Sequence, residues 1–388
     1  MIFPKKIVAF GAGKIGRSFI GQLFGRSGYE VVFVDINSQL IDELNRRGEY
    51  KVVFKGVSGD REHLITGVSG ICLRETERVT DAVATAGIAS LSVGSQGLKD
   101  LMPVLSEGLV ARRIRHGEVP LDFIIAENMR DADRYIAGEL RNNLPVDYPL
   151  ERLVGLVETS IGKMVPIMTA KELEEDPLQV FAEPYNTLIV AKSGFRNPVP
   201  AVKNLAPKEN IKAWVDRKIF IHNLGHAAAA YLGHLKLPAA TYMYELLKDR
   251  EVEQATRSVM SQSAGILMAL HPGEFTADQL EEHIDDLVDR FSNRSLGDTV
   301  YRVGSDLFRK LGPTDRMVTP IRAAIRLKMP YDLIMKALEA AISFRATDEQ
   351  GRFLRADEDF FKEAKKGTGH VLKHVCGLNL PVSDSSTA

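Results

Sequence analysis

Cysteine is scarce in this chain. Only Cys72 and Cys376 occur, far apart and in no metal-like spacing, so neither a disulfide framework nor a zinc ribbon is expected. That scarcity fits a reducing compartment, and the cytoplasm is the expected location. Charge of one sign is missing too. Fifty Lys and Arg against 51 Asp and Glu give a formal charge of -1, which argues against a nucleic-acid or membrane-surface partner. A charged ligand must therefore be met by a local cluster. No apolar run approaches the roughly 18 residues needed to span a bilayer. The opening MIFPKKIVAFGAG runs straight into a strand and a glycine turn, without the pattern of a cleavable leader. Internal repeats, low-complexity segments and a coiled-coil seam are also absent, and a monomer is expected.

What is present is ordinary for a folded protein: 45% hydrophobic and 26% charged residues, over 388 positions, enough for two cores. Short apolar runs at Lys6–Phe10, Glu30–Val34, Ile88–Val93, Phe123–Ala126 and Leu153–Val157 read as strands. Helical periodicity lies between several of them, at Ile15–Phe24 and Ser38–Arg47 for example. That alternation predicts a mostly parallel, doubly wound sheet. From about residue 200 the pattern becomes helical, at Val215–Leu232, Met243–Ala269, Ala277–Asp289, Thr299–Leu311, Thr319–Leu327 and Tyr331–Ser343. Gly and Pro signals separate these stretches. The expected division is residues 1–198 and 199–388, with Ser383–Ala388 a frayed tail.

The first strand is followed by Gly11-Ala12-Gly13-Lys14-Ile15-Gly16, a G-x-G-x-x-G in the setting it needs, after a strand and before a helix. The first glycine permits the tight turn, the second lets backbone approach a pyrophosphate, and the third allows helix–strand packing. Asp35 ends the second strand, where a carboxylate hydrogen-bonds a ribose 2′-hydroxyl and disfavours a 2′-phosphate. The cofactor expected on these residues is NAD. The fold class follows: an N-terminal Rossmann-type doubly wound parallel sheet, then a mainly α-helical C-terminal domain.

A hydride-transferring enzyme also needs a base and fixed dipoles. The segment Asp216–Gly233, DRKIFIHNLGHAAAAYLG, offers Lys218, Asn223 and His226 on one predicted helix. At about 100° per residue, Asn223 lies roughly 140° and His226 roughly 80° around the axis from Lys218. Lysine is a credible base once burial or a nearby cation lowers its pKa, and an Asn amide can donate to a developing oxyanion. The same residues also fit a solvated helix start followed by satisfied core groups. His222 and His226 stand four apart, but without the Glu of H-E-x-x-H or a third ligand in spacing, so no metal is expected.

GAGKIGRSFIG, AENM (Ala126–Met129) and K-x4-N-x2-H together resemble the polyol-specific long-chain dehydrogenase/reductase family, over essentially the whole chain. Arg290–Pro320 is similar to the branch of that family acting on hexitol phosphates. The resemblance implies metal-independent, NAD-dependent interconversion of an open-chain sugar alcohol and its ketose, with Lys218 as general base. It implies that Asn128 and Asn223 stabilise the oxyanion and that His226 orients the substrate. A phosphorylated substrate would need an anion site, for which Arg302, Arg309, Lys310 and Arg316 form the densest basic cluster. Arg302 and Arg309, two predicted helical turns apart, would share a face. These basic residues also fit an exposed face paired with Asp306 and Asp315. The chain departs from the family pattern at Val157–Pro166 (VETSIGKMVP), at Ser305 and Leu307 in RVGSDLF, and at Ser92–Ser95 (SVGS). An unphosphorylated polyol, a hexuronate, or a protein that senses NADH without chemistry are the alternatives.

Overall fold

A computed structural model of the protein describes residues 5–57, 59–166 and 168–379. The tail Ser383–Ala388 lies outside them. By its contacts the chain divides into two compact units, one up to Val215 and one from Asp216.

The first unit is built on an eight-stranded sheet. Its strands are β1 (Lys6–Phe10), β2 (Glu30–Asp35), β5 (Val68–Cys72), β6 (Ile88–Leu91), β7 (Leu121–Ile125), β8 (Val154–Ser160), β10 (Leu188–Ala191) and β11 (Leu205–Lys208). A separate three-stranded sheet holds β3 (Glu49–Gly56), β4 (Gly59–Thr66) and β9 (Val180–Ala182). The large sheet runs β11-β10-β8-β7-β6-β1-β2-β5. It is parallel from β5 through β8, and β10 then turns antiparallel to β8. After β1 the chain winds outward to β2 and β5, then crosses back to β6. The carboxyl ends of β1 and β6 therefore flank the switch point at which such sheets bind ligands.

The uninterrupted apolar runs follow from burial on both faces. Ile7 and Ala9 pack with Phe19, Ile20 and Phe24 on one side, while Val8 and Phe10 pack with Leu98, Leu101 and Leu105 on the other. The small sheet was not anticipated from the sequence. Its edge strand β4 is polar on both faces (GDREHLIT), and β9 contributes three residues.

The second unit is helical, and together the two units form the α/β-then-helical architecture that the sequence pattern implies. Its longer helices are Leu224–Lys236, Arg250–Leu270, Ala277–Phe291, Val318–Leu327, Asp332–Ile342 and Arg355–Ala364. Two stretches read from the sequence as single helices are interrupted. Met243–Ala269 breaks before Asp249, which caps the following helix by accepting N–H bonds from Glu251 and Val252. Thr299–Leu311 breaks into Val300–Gly304 and Leu307–Lys310, because Asp306 takes a left-handed conformation with φ 74°. The buried carboxylate of Asp357 accepts the backbone N–H groups of Asp306 (3.0 Å) and Leu307 (2.7 Å) and holds that turn. Arg302 and Arg309 therefore stand on separate short helices and share no helical face. Among the described residues no helix is long and apolar enough to cross a membrane.

Candidate active site

Backbone contacts fix the first and third glycines of the turn. Gly11 has φ +94°, and a Cβ there would sit 2.3 Å from the Ser92 carbonyl oxygen. A Cβ on Gly16 would fall 1.9 Å from the Gly11 carbonyl oxygen, so both positions exclude a side chain by contact. Gly13 differs: it is exposed, with no atom within 4 Å of the Cβ it lacks. The turn thus presents an open backbone edge where a pyrophosphate would approach. Ala12 is buried, Ile15 packs against the core and Lys14 is exposed. Asp35 lies across the turn, accepting N–H bonds from Ala12 (2.7 Å) and Asn37 (2.9 Å).

Arg17, just past the motif, points inward. It donates to the carbonyl oxygens of Ala12 (2.7 Å), Leu178 (2.6 Å) and Pro177 (3.3 Å), while Tyr50 donates to the Arg17 carbonyl. Asn37 caps the next helix by accepting from Leu40. Both side chains are thus engaged with groups of the protein itself. These residues fit a dinucleotide with a free 2′-hydroxyl.

The loops after β6 and β7 meet through Glu127, a residue the sequence reading passed over. Its carboxylate accepts the N–H groups of Val93 (2.7 Å) and Gly94 (2.9 Å) and so holds the SVGS turn. Burial pushes the Glu127 carboxyl up, and these two bonds oppose that shift. Asn128 follows on an exposed bend just beyond the carboxyl end of β7. Lys163, in the variant VETSIGKMVP segment, is buried. It donates to the Glu183 and Tyr185 carbonyls and to Asn186, in a cage that includes the rings of Phe19 and Phe54.

In the second unit the segment Lys218–Asn223 is wound as a π-helix that leads into Leu224–Lys236. This corrects the expected angular layout. With i→i+5 bonding each residue advances only about 80°, so five steps leave Asn223 roughly 40° from Lys218, where an α-helix gives roughly 140°. Three further α-helical steps return His226 to within roughly 20° of Lys218. The three side chains form a narrow line along one face. Burial pushes the Lys218 amine down to about 8, Arg316 adds to the shift, and Asp315 opposes it.

His226 stacks flat on Phe291, with ring centroids 4.5 Å apart and planes 9° from parallel. His222, 6% exposed, leans on the same ring from 5.6 Å. Burial holds His226 well below the usual histidine range, and the cations Arg302, Arg316, Lys310 and Arg290 lower it further. Burial acts on His222 in the same direction. Both imidazoles are neutral at physiological pH. Among the described residues no group of three or more His, Cys, Asp or Glu is placed to hold a metal ion.

The basic cluster is already engaged. Arg302 contacts Asp298, while Arg309 contacts Asp306 and Asp315. Arg316 donates to Asp315 at 2.8 Å, and Lys310 donates to the Val303 carbonyl at 2.6 Å. Burial, then Arg316 and Arg309, pushes the Lys310 amine down to about 7. Arg309 and Arg316 meet on Asp315, whereas Arg302 belongs to the His226 side through Asp298. The spacing that could have exposed this from sequence is the i, i+4 relation of Asp298 to Arg302.

A Rossmann sheet with an open glycine turn, joined in one chain to a helical unit with a lowered lysine and neutral histidines, defines a nicotinamide-dependent type of oxidoreductase. Residues 5–204 match the mannitol dehydrogenase Rossmann domain and residues 210–375 the mannitol dehydrogenase C-terminal domain. The chain therefore belongs to the mannitol dehydrogenase family and is an oxidoreductase of that polyol dehydrogenase group. Among solved structures it is similar to a D-sorbitol dehydrogenase in substrate-free form, with TM-score 0.79 and 17% identity, over 97% of this chain and 89% of that one. It is also similar to the Pseudomonas fluorescens mannitol 2-dehydrogenase in ternary complex with NAD and D-mannitol. That match has TM-score 0.72 and 17% identity, over 93% of this chain and 84% of the other. At such identities these structures establish the shared fold.

The two glycine environments predict opposite behaviour on adding a methyl group. Gly16→Ala must open the turn and is expected to lose about 1–3 kcal/mol of stability in a urea melt. Gly13→Ala meets no protein atom, so its melt should stay within about 0.5 kcal/mol of the parent while NADH titration shows weakened binding. Equal stability losses for the two would count against this account of the turn.

Proposed function

We propose that this protein is an NAD-dependent dehydrogenase interconverting a hexitol phosphate and a ketohexose phosphate, mannitol 1-phosphate and fructose 6-phosphate being the leading pair. The observation that carries the reading is a half-buried lysine whose desolvated amine is lowered to about 8, in line with Asn223 and His226, with Arg316 acting on the lysine and Arg302, Lys310 and Arg316 on the histidine. Asp35 and the inward-turned Arg17 support NAD over its 2′-phosphorylated form. When bound, NAD supplies the hydride acceptor.

In the oxidative direction the neutral Lys218 amine takes the proton of the substrate hydroxyl as the carbon beside it gives up its hydride, and a C=O bond forms. Asn223 and Asn128 offer amide N–H donors to that oxygen as negative charge develops on it. Neutral His226 hydrogen-bonds a neighbouring hydroxyl and sets the orientation of the chain of carbons. In the reverse direction the Lys218 ammonium returns the proton to the new alkoxide. The scarcity of cysteine supports action in the cytoplasm.

A second reading has its own support. Each basic side chain of the Arg302–Arg316 cluster already has a carboxylate or carbonyl partner, which favours an uncharged polyol. Comparing kcat/KM for fructose 6-phosphate and fructose separates the two. Loss of charge-assisted hydrogen bonds predicts a preference for the phosphorylated ketose on the order of a hundredfold. A preference for free fructose, or for tagaturonate or fructuronate assayed alongside, would replace the phosphate reading.

Lys218→Ala should abolish turnover and leave NADH affinity within about twofold of the parent, read by stopped assay and fluorescence titration. Near-normal rates in that variant would sink the proposed mechanism. NADH binding without turnover of any ketose by the parent protein would instead point to a sensor. The pH profile carries a sign. Polyol oxidation needs the neutral amine and should rise as pH climbs through about 8, whereas ketose reduction needs the ammonium and should fall over the same interval.

A further inference from the structure

The structure assigns Asp298 as the residue that orients His226: its carboxylate, gripped by Arg302, faces the imidazole Nε2 and leaves Nδ1 to accept a hydrogen bond from a substrate hydroxyl. The assignment rests on the reading above for the substrate and for its contact with His226. The orientation itself is a property of the helical unit.

His226 Nε2 and Asp298 Oδ2 lie 3.3 Å apart, off the hydrogen-bond line, and each is buried with no other partner among the described residues. Asp298 is 5% exposed. Two buried polar atoms facing each other at that distance leave a cost that a small rotation removes, provided a proton stands between them. The carboxylate has none to give while Arg302 holds it ionised from the other side, so the proton belongs to the histidine. A neutral imidazole carries one N–H, and placing it at Nε2 makes Nδ1 the acceptor.

Stacking does not choose between the two nitrogens. The face-to-face contact with Phe291 fixes the plane of the ring, but a half-turn about the Cβ–Cγ bond would preserve the stack. What distinguishes the two orientations is the partner at one edge, and that partner is Asp298. Arg302 thus acts on His226 through a shared carboxylate, and its own charge is also among those that lower that ring's pKa.

The backbone of Asp298 is held without help from its side chain. Met243 donates its N–H to the Asp298 carbonyl at 2.9 Å, Val300 donates to the Thr241 carbonyl at 2.9 Å, and Tyr242 and Thr299 form an antiparallel bridge. A side-chain exchange at 298 therefore tests positioning separately from folding. In Asp298→Asn the amide oxygen must turn to Arg302, which only donates, and the NH2 group then faces His226 Nε2. That arrangement drives the imidazole proton to Nδ1 and replaces the acceptor offered to substrate with a donor.

The test uses the full-length chain labelled with ¹⁵N-histidine, with the His226 signals identified by their loss in His226→Asn. Two-bond ¹H–¹⁵N spectra should show the Nε2–H form in the parent and the Nδ1–H form in Asp298→Asn. The variant's kcat/KM for the ketose should fall roughly a hundredfold, mainly through KM, with NADH affinity and the urea midpoint unchanged. A parent spectrum showing Nδ1–H, or the same tautomer in both proteins, overturns the assignment. The parent spectrum decides even if the variant does not fold. Failure of the reaction reading would show separately, as activity retained in Lys218→Ala.

Discussion

Desolvation of the Lys218 amine is the constraint on which the proposed chemistry depends. An ordinary lysine, titrating near 10.4, is almost wholly charged at neutrality and cannot accept a proton. Lowered to about 8, roughly a tenth of the molecules carry the free amine at pH 7, and the charged form remains abundant for the reverse reaction. Burial is the largest cause, the nearby guanidinium of Arg316 adds to it, and Asp315 opposes it. The cost is that buried polar groups must all find partners in a mainly apolar helix. The π-helical winding answers it by gathering the polar side chains into one line and leaving Phe220 and Ile221 to the core.

Three aspartates organise the surrounding positive charge. Asp315 is shared between Arg309 and Arg316, Asp298 stands between Arg302 and His226, and Asp357 caps the turn before Lys310. Each carboxylate serves two groups at once, so the cations are held apart at fixed positions despite their mutual repulsion. The field at the histidine pair is nonetheless net positive, and both rings stay neutral in it.

The parts of this arrangement that were legible in the sequence are those specified over short distances. The glycine turn, β1, β2 and Asp35 all lie within one βαβ unit, and their apolar runs and glycines carry their own meaning. The helical character of Asp216–Gly233 was equally plain. Its winding was not, because the choice between i→i+4 and i→i+5 bonding is made by packing around it and leaves no mark on residue type. The break at Asp306 escaped for a related reason: the carboxylate that holds it comes from Asp357, 51 residues further on. The small sheet pairs Val52 with Val180, a partner no local pattern announces. Glu127 and Asp298 carry no local signal either, since their roles come from the backbone N–H groups and the arginine they face.

Arg17 carries a consequence for how this protein can change. It sits one residue past the glycine motif, where a free guanidinium could meet a second phosphate on the coenzyme. Its guanidinium donates to main-chain carbonyls of its own turn and of one distant segment, and its own carbonyl is tied to Tyr50. The residue is a rivet of the scaffold. Exchanging Asp35 alone would therefore remove a repulsion without supplying an attraction. Evolution or an engineer seeking the other coenzyme must import a new cation, because the one nearest to hand cannot be released without loosening the turn itself.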